Sequence, residues 1–135
     1  MADWANIAGG FQTRLETITG LRAYSEWPDQ FNAPGAIVIP APVFINDATF
    51  DGGFDATFDI LVMVARAGGD ARSQVSLLSY FATSGSSSIR AAILAAPTLG
   101  GTCSDVVPGE VFGYGTYEHA GVTYSGMKYR WGVLI

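Results

Sequence analysis

The side chains that could act as nucleophile, acid or base are few, and they follow no catalytic pattern. The chain has one histidine, His119, and one cysteine, Cys103. A thiolate–imidazole pair would form only if the fold brought these two residues together. His119 falls near the tip of a predicted hairpin, where a surface residue is expected. Cys103 falls at the start of a predicted strand, where a small structural residue is expected.

The serines between the two central helices offer no nucleophile either. Ser84, Ser86, Ser87 and Ser88 flank Gly85, but they do not form the Gly-x-Ser-x-Gly elbow that exposes a catalytic serine. We interpret them as a connector and a helix cap. The sequence therefore predicts that the protein is not an enzyme and has no catalytic residues. The alternative is a small enzyme with Cys103 as nucleophile, whose activity Cys103→Ser would abolish.

Three aspartates share a spacing that could suggest a metal site. Asp51, Asp55 and Asp59 would lie on one face of a strand, about 13 Å apart from one to the next. No single ion bridges such gaps, and the alternation of acidic residues and glycine that forms a calcium loop is missing. We expect no metal and no cofactor. The interpretation is a solvated acidic face, which could still line a pore.

Phosphate binding and nucleic-acid binding are both disfavoured. The glycine pairs, such as Gly68-Gly69, lack the spacing of phosphate loops. The aromatic residues near the C-terminus are accompanied by Lys128 and Arg130 alone, whereas a stacking platform needs basic neighbours. The net charge is −5, with seven scattered Lys and Arg. An acidic surface would repel DNA, which suits a channel wall past which DNA slides.

The composition predicts a single domain that associates with itself. A chain of 135 residues is large enough for one domain with a hydrophobic core. Apolar residues make up 49% and charged residues 14%, against about 25% charged residues in an average domain. With so few charges available to cover a monomer, surplus apolar surface is expected at contacts between subunits.

The sequence also bears on location. A single cysteine excludes an internal disulfide, and the N-terminal residues do not resemble a secretory signal. The longest apolar run, Ile60 to Ala65, is far shorter than the roughly 20 residues of a membrane span. We therefore expect a soluble protein, intracellular at synthesis, with no membrane partner.

The elements that would position these residues begin with a helix from about Ala2 to Thr19, capped by Asp3 and ended by Gly20. Its apolar face repeats every three or four residues and comprises Ile7, Phe11, Leu15 and Ile18. Strands are predicted at 21–27 and 36–39, and Pro40 and Pro42 confine the following residues to a sheet edge or loop. The stretch from Val43 to Thr49 is interpreted as a strand, an extended arm or a loop.

A long strand is predicted at 54–66, with alternate residues on two faces. A hairpin turn at 51–53 precedes it. Helices follow at 70–83, with Val75, Leu78 and Phe81 or Ala82 inward, and at 89–95, capped by Ser88. Strands are then predicted at 102–107, 111–119 and 122–135, the last two joined through Ala120-Gly121. The apolar C-terminal residues 131–135 indicate a buried last strand. The fold class is α+β: a mostly antiparallel sheet with the N-terminal helix and two central helices on one face.

Taken together, these segments resemble the tail terminator family of long-tailed bacteriophages. The similarity spans nearly the whole chain, but its motifs are structural and of modest specificity. The segments that carry it are 20–24, 27–29, 34–38, the strand before Arg66, the helix after Asp70, 85–93, 98–102 and the final hairpin.

The resemblance implies a mechanical function. Terminators of this family form a ring, usually a hexamer, that caps the head-proximal end of the tail tube and joins it to the head connector. DNA passes through the lumen without specific recognition. The expected location is the neck of the virion, after assembly in the bacterial cytoplasm. The subunit interface expected from this resemblance comprises Val43, Phe44, Ile45, Phe50 and Trp131, and the lumen lining comprises Asp51, Asp55 and Asp59.

Other functions remain compatible with the same residues. Within the phage neck, the chain could be a head-completion or stopper protein, or a tail tube subunit. A tube subunit would polymerise into long tubes, whereas a terminator would stop at one ring. Outside that class, a small non-viral binding module would be a monomer with a closed pocket.

Overall fold

One five-stranded sheet organises the molecule, and three helices pack on it. The computed structural model describes residues 4–46, 55–65 and 70–134. The elements within these ranges are α1 (Trp4–Leu15), β1 (Arg22–Tyr24), β2 (Gly35–Asn46), β3 (Asp55–Ala65), α2 (Asp70–Ser79), α3 (Ile89–Leu94), β4 (Asp105–His119) and β5 (Val122–Leu134). The strand order is β1-β2-β3-β5-β4. Only β1 and β2 pair in parallel, so the predicted α+β class with a mostly antiparallel sheet is confirmed.

The apolar face of α1 forms one side of the main core. The four residues expected on this face, Ile7, Phe11, Leu15 and Ile18, are all buried. The helix itself ends at Leu15, and hydrogen-bonded turns follow it. Gly20 has φ 85°, which favours glycine where the chain leaves the turns. The predicted first residues of the helix, Ala2 and Asp3, lie outside the described residues.

The predicted division of β3 into two faces is also confirmed. Its residues facing α1, α2 and α3 belong to the main core: Ala56, Phe58, Ile60, Val62 and Val64. We call this side of the sheet the helix face. Leu61 and Met63 point the other way and form a second cluster with Phe31 and Ile37. We call that side the open face, since the segment 25–34 rather than a helix lies on it.

The C-terminal strand β5 occupies the interior of the sheet, between β3 and β4. Trp131 and Val133 are fully buried on the helix face. The expectation of a buried final strand is therefore confirmed for Trp131 and Val133, whereas Leu134 is 38% exposed and Ile135 lies outside the described residues. A hairpin joins β5 to β4, and its turn residues Ala120 and Gly121 both have positive φ, of 51° and 81°. This conformation is typical of a two-residue type I′ turn.

Several predicted boundaries differ from the structure. The strands predicted at 102–107 and 111–119 form one strand, β4, with irregularities at 108–111 and 112–115. Pro108 and Gly109 were expected to separate two strands, but they lie in a bulge within β4. The strand predicted at 21–27 is reduced to β1. The Ser88 cap is confirmed, because Ser88 Oγ accepts a hydrogen bond from Ala91 N at 3.1 Å.

The orientation predicted for α2 is wrong for Val75 and Leu78, which were expected to point inward but are 71% and 50% exposed. Leu77 and Tyr80 are buried in their place. The inward placement of Phe81, just after the helix, is confirmed, since it packs against the main core. The apolar residues at 75, 77, 78 and 80 fit two different faces of a helix, and packing on β3 and β5 selects the face with Leu77.

Candidate functional site

An ion pair at the centre of the open face is the best-defined polar feature of the molecule. Asp59 of β3 and Arg130 of β5 are register partners on neighbouring strands. Arg130 donates from Nε to Asp59 Oδ1 at 2.9 Å and from an Nη to Asp59 Oδ2 at 3.2 Å. Both carboxylate oxygens are thus satisfied by one guanidinium, a bidentate geometry that fixes both side chains.

The guanidinium of Arg130 is further held by β4. It lies 4.5 Å from the centre of the Phe112 ring, within reach of a cation–π interaction. Glu110 approaches it at 3.5 Å. The hydrogen bond to Asp59 raises the pKa of Arg130 above its ordinary value, so this side chain stays charged. A second cation–aromatic pair follows along the same face, with Lys128 Nζ 5.8 Å from the Tyr117 ring centre.

This geometry overturns the prediction that Asp59 lines a lumen. Asp59 is 1% exposed, so its carboxylate is not part of a solvated acidic face. The pairing with Arg130 compensates its negative charge and explains how a carboxylate can be buried on a sheet. The sequence reasoning missed it because Arg130 is distant in the chain and meets Asp59 only through strand pairing.

Of the other predicted lumen and interface residues, some lie outside the described residues, and for the rest the structure describes the backbone alone. Asp51 and Phe50 lie outside the described residues. Asp55 begins β3, and Val43, Phe44 and Ile45 belong to the last part of β2; their side chains lie outside the description.

Trp131 is not an interface residue. It is fully buried, with its ring 6.4 Å from that of Phe11 and 5.1 Å from that of Tyr129, measured between ring centres. A neighbouring subunit could not reach it without opening the core. The prediction failed because the apolar C-terminal residues fit a buried strand and a subunit contact equally well.

The structure separates Cys103 from His119. Cys103 lies just before β4 and His119 ends it, and a strand of 15 residues spans roughly 45 Å. Burial raises the pKa of the Cys103 thiol, which opposes formation of the reactive thiolate. These two residues therefore do not form a catalytic pair.

His119 is also not the surface residue that its hairpin position predicted. It is buried, and its Nε2 lies 2.8 Å from the carbonyl oxygen of Pro28. Its ring lies 5.4 Å from that of Trp27 and 5.9 Å from that of Phe31, between centres. His119 thus attaches the segment 25–34 to the open face. No local pattern announces this role, because the partners come from the loop between β1 and β2.

An open cleft of about 480 Å³ lies beside β1. Its polar lining includes Glu16, Arg22, Gln30 and Asn32. Ligand pockets are usually enclosed and largely apolar, so this cleft lacks the form expected of a small-molecule site. Across the described ranges, no group of three His, Cys, Asp or Glu side chains could hold a metal ion.

Large apolar side chains are exposed on several elements, including Trp27, Leu94 and Val122, and α2 and β4 each carry more than one. On the outer side of α2, Val75 and Leu78 lie three residues apart on the same helical face. On β4, Val107 and Val111 are both exposed, but they pair with Gly132 and Tyr129 and therefore lie on opposite faces of the sheet. Large apolar side chains grouped on a surface usually mark contacts with other proteins, so the Val75–Leu78 surface of α2 is the best-defined candidate contact in the described part of the chain.

Compared with known proteins, the chain matches no protein-family model and no curated protein. None of the described helices has the length and apolar character needed to cross a membrane.

Proposed function

We propose that this protein is a tail terminator of a long-tailed bacteriophage, a structural virion protein that forms a ring on the head-proximal end of the tail tube. The ring joins the tube to the head connector, and DNA passes through it. The segments that resemble this family motivate the proposal. A fold built around a sheet with helices on one face is compatible with it.

The observation that carries the proposal is that one small, charge-poor chain exposes large apolar side chains on two separate elements, α2 and β4. A terminator subunit contacts its neighbours in the ring and also the end of the tube, so it needs two kinds of contact. The Val75–Leu78 surface of α2 and the exposed apolar residues of β4 are the candidates for these contacts. A head-to-tail interface that closes on itself forms a ring, and one that does not close forms a filament.

The first test is the mass of the purified protein by light scattering, followed by electron microscopy alone and with purified tail tube protein. We expect closed rings of uniform size, or rings that form on tube ends and stop tube growth. Growth of the protein by itself into long tubes would favour the tube-subunit alternative. A monomer that neither forms rings nor binds tube ends would overturn the proposal.

Charge substitutions on α2 localise the contact. We expect Leu78→Asp to abolish either ring formation or capping of tubes, because it places a charge in an apolar contact. Ser76→Asp is the matched control, since Ser76 is exposed on the same helix and the substitution adds the same charge. Equal assembly by both variants would exclude the α2 surface from the contacts of the ring.

A further inference from the structure

The two margins of the sheet differ in whether another strand can pair with them. At a free margin, outward-facing backbone N–H and C=O groups form a template for a further strand, and proteins usually block it. β1 and β4 are the outermost strands of the described sheet. β2 also extends beyond the end of β1, which leaves part of it at the first margin.

The β1–β2 margin is blocked at two places. At β1, Gln12 Nε2 donates a hydrogen bond to the carbonyl oxygen of Ala23 at 3.1 Å. This carbonyl oxygen is therefore not free to accept a hydrogen bond from a further strand. Just before β2, the carbonyl oxygen of Pro34 accepts a hydrogen bond from Arg22 N, so the backbone groups of Pro34 point towards β1. The direction of the backbone groups alternates from one residue to the next along a strand, so those of Pro40 point to the same side, beyond the end of β1. Proline has no N–H, and this position therefore offers no donor to a further strand.

The first half of β4 is blocked in the same ways. Val106 N donates to its neighbour Asp105 Oδ1 at 2.9 Å, which occupies one donor. Pro108 lacks another donor, and a bulge follows it. Bulges and prolines are the usual devices that prevent strand pairing at an edge.

A second bulge lies between Phe112 and Gly115, so the part of β4 that carries no such protection runs from Gly115 to Glu118. His119 and Val122 close a two-residue hairpin and are register partners, so their backbone groups face each other. By alternation Tyr117 and Gly115 also face β5, whereas Thr116 and Glu118 direct their N–H and C=O groups outward. Thr116 and Glu118 are exposed, and among the described strands none lies beyond β4.

The charges on β4 indicate which strand would pair there. Its charged side chains are Asp105, Glu110 and Glu118, and none of its residues is Lys or Arg. A second copy paired through β4 would align acidic strands, and like charges on paired strands are destabilising. Pairing with the opposite margin of a second copy would meet the blocked positions at Ala23 and Pro40.

We propose that the Gly115–Glu118 edge of β4 binds an extended segment of another protein by strand addition, and that this segment carries Lys or Arg side chains. Backbone hydrogen bonds to Thr116 and Glu118 would supply the affinity, as in other strand-addition complexes. A basic side chain near an end of the segment would meet Glu118, whereas Glu110 is already paired with Arg130. This inference does not rest on the proposed function, since it follows from the edge and its charges.

The test uses the full chain and a six-residue peptide of alternating Val and Thr with a lysine at each end. We expect it to bind at least about tenfold more tightly than the same peptide with glutamates at the ends, at low salt. Higher salt should reduce the difference. Binding should slow amide hydrogen exchange at Thr116 and Glu118. A third peptide keeps the lysines but is N-methylated at alternate residues, so it retains the charge and loses the edge hydrogen bonds.

Two variants complete the experiment. Thr116→Pro removes an outward N–H without breaking a bond to β5, and it should weaken binding of the lysine peptide by about tenfold or more. Thr116→Val keeps the N–H and should bind normally. Equal binding of the methylated peptide, or binding without protection of Thr116 and Glu118, would overturn the proposal. Protection that instead grows with protein concentration in the absence of peptide would also overturn it, in favour of a second copy.

Discussion

The two faces of the sheet are held together by different kinds of interaction. On the helix face, Phe11, Trp131 and the alternate residues of β3 form a continuous apolar core. On the open face, a smaller apolar cluster around Phe31 adjoins the Asp59–Arg130 pair and its aromatic neighbour Phe112. One face thus depends on burial, and the other depends on specific pairs between distant residues.

This difference teaches where the stability and the specificity of the fold reside. Burial of apolar surface is non-directional and tolerates variation in packing. A bidentate ion pair between β3 and β5 is satisfied in one register alone, since a shift of one residue would move Asp59 to the helix face. We therefore expect changes on the helix face to reduce global stability most, and changes on the open face to have smaller and more local effects.

The largest effect should come from Trp131→Ala on the helix face. Truncation of a fully buried aromatic residue removes its burial and leaves a cavity, which costs about 3–5 kcal/mol of unfolding free energy. Denaturant unfolding followed by circular dichroism measures this change. A loss below about 1 kcal/mol would contradict the position of Trp131 in the main core.

Trp131→Phe is the matched control for that prediction. Trp131 Nε1 is buried and has no hydrogen-bond partner among the described residues, and such an unpaired donor is itself unfavourable. Phenylalanine removes this donor while it retains most of the apolar contact. We expect a loss well below that of Trp131→Ala, and an equal loss would contradict the view that apolar burial accounts for most of the contribution of Trp131.

A smaller loss is expected for Asp59→Asn on the open face. The substitution keeps the shape of the side chain but leaves the partly buried Arg130 guanidinium, which is 31% exposed, with the exposed Glu110 carboxylate as its remaining described counter-charge. We expect a decrease of about 1–3 kcal/mol in unfolding free energy. Glu110→Gln is the control, because Glu110 is exposed, and it should change stability by less than about 0.5 kcal/mol.

A double-mutant cycle with Arg130→Met separates pairing from simple burial. If the pair acts as a unit, Asp59→Asn in the Arg130→Met background should have much less effect than it has alone. Additive effects would mean that each side chain contributes through other contacts, and the open face would then resemble the helix face.

The same contrast explains how much the sequence could predict. The helix face follows from local periodicity: the apolar face of α1 and the two faces of β3 were predicted from spacing alone, and both are confirmed. The buried β5 followed from its apolar residues. Periodicity works there because helix and strand spacing directly determine which residues share a face.

The open face could not be predicted in this way. From the sequence, Asp59 is expected in a solvated acidic face and His119 at an exposed hairpin tip. In the structure, each is buried and contacts a residue from another part of the chain. Short elements fail for a related reason, since the apolar residues of α2 fit two faces. For the candidate contact surfaces, composition indicated surplus apolar area, and the sequence placed it at Val43, Phe44, Ile45, Phe50 and Trp131. Of these, Trp131 is buried, and the structure exposes Val75 and Leu78 instead.

A local effect is expected from His119→Ala. The substitution removes the contact with the Pro28 carbonyl and the ring contacts with Trp27 and Phe31, at a cost of about 1–2 kcal/mol. Because His119 attaches the segment 25–34, amide hydrogen exchange and limited proteolysis should increase mainly within that segment. Equal acceleration across α1 and β3 would show that His119 supports the whole fold instead. His119→Gln retains a donor and should have an intermediate effect.

The smallest effect should come from Ala120, which is exposed and belongs to neither face. Ala120 has φ 51° in the hairpin turn, a conformation that disfavours alanine and suits Asn or Gly. Ala120→Asn should therefore raise the unfolding free energy by about 0.5–1 kcal/mol, and Ala120→Val, with a β-branched side chain at positive φ, should lower it. Since the turn aligns β4 with β5, the gain should appear as slower hydrogen exchange along these two strands. A gain confined to the hairpin tip would mean that β4 can fray without disturbing the Asp59–Arg130 pair. The packing of both faces of the sheet would then not depend on the turn that joins β4 to β5.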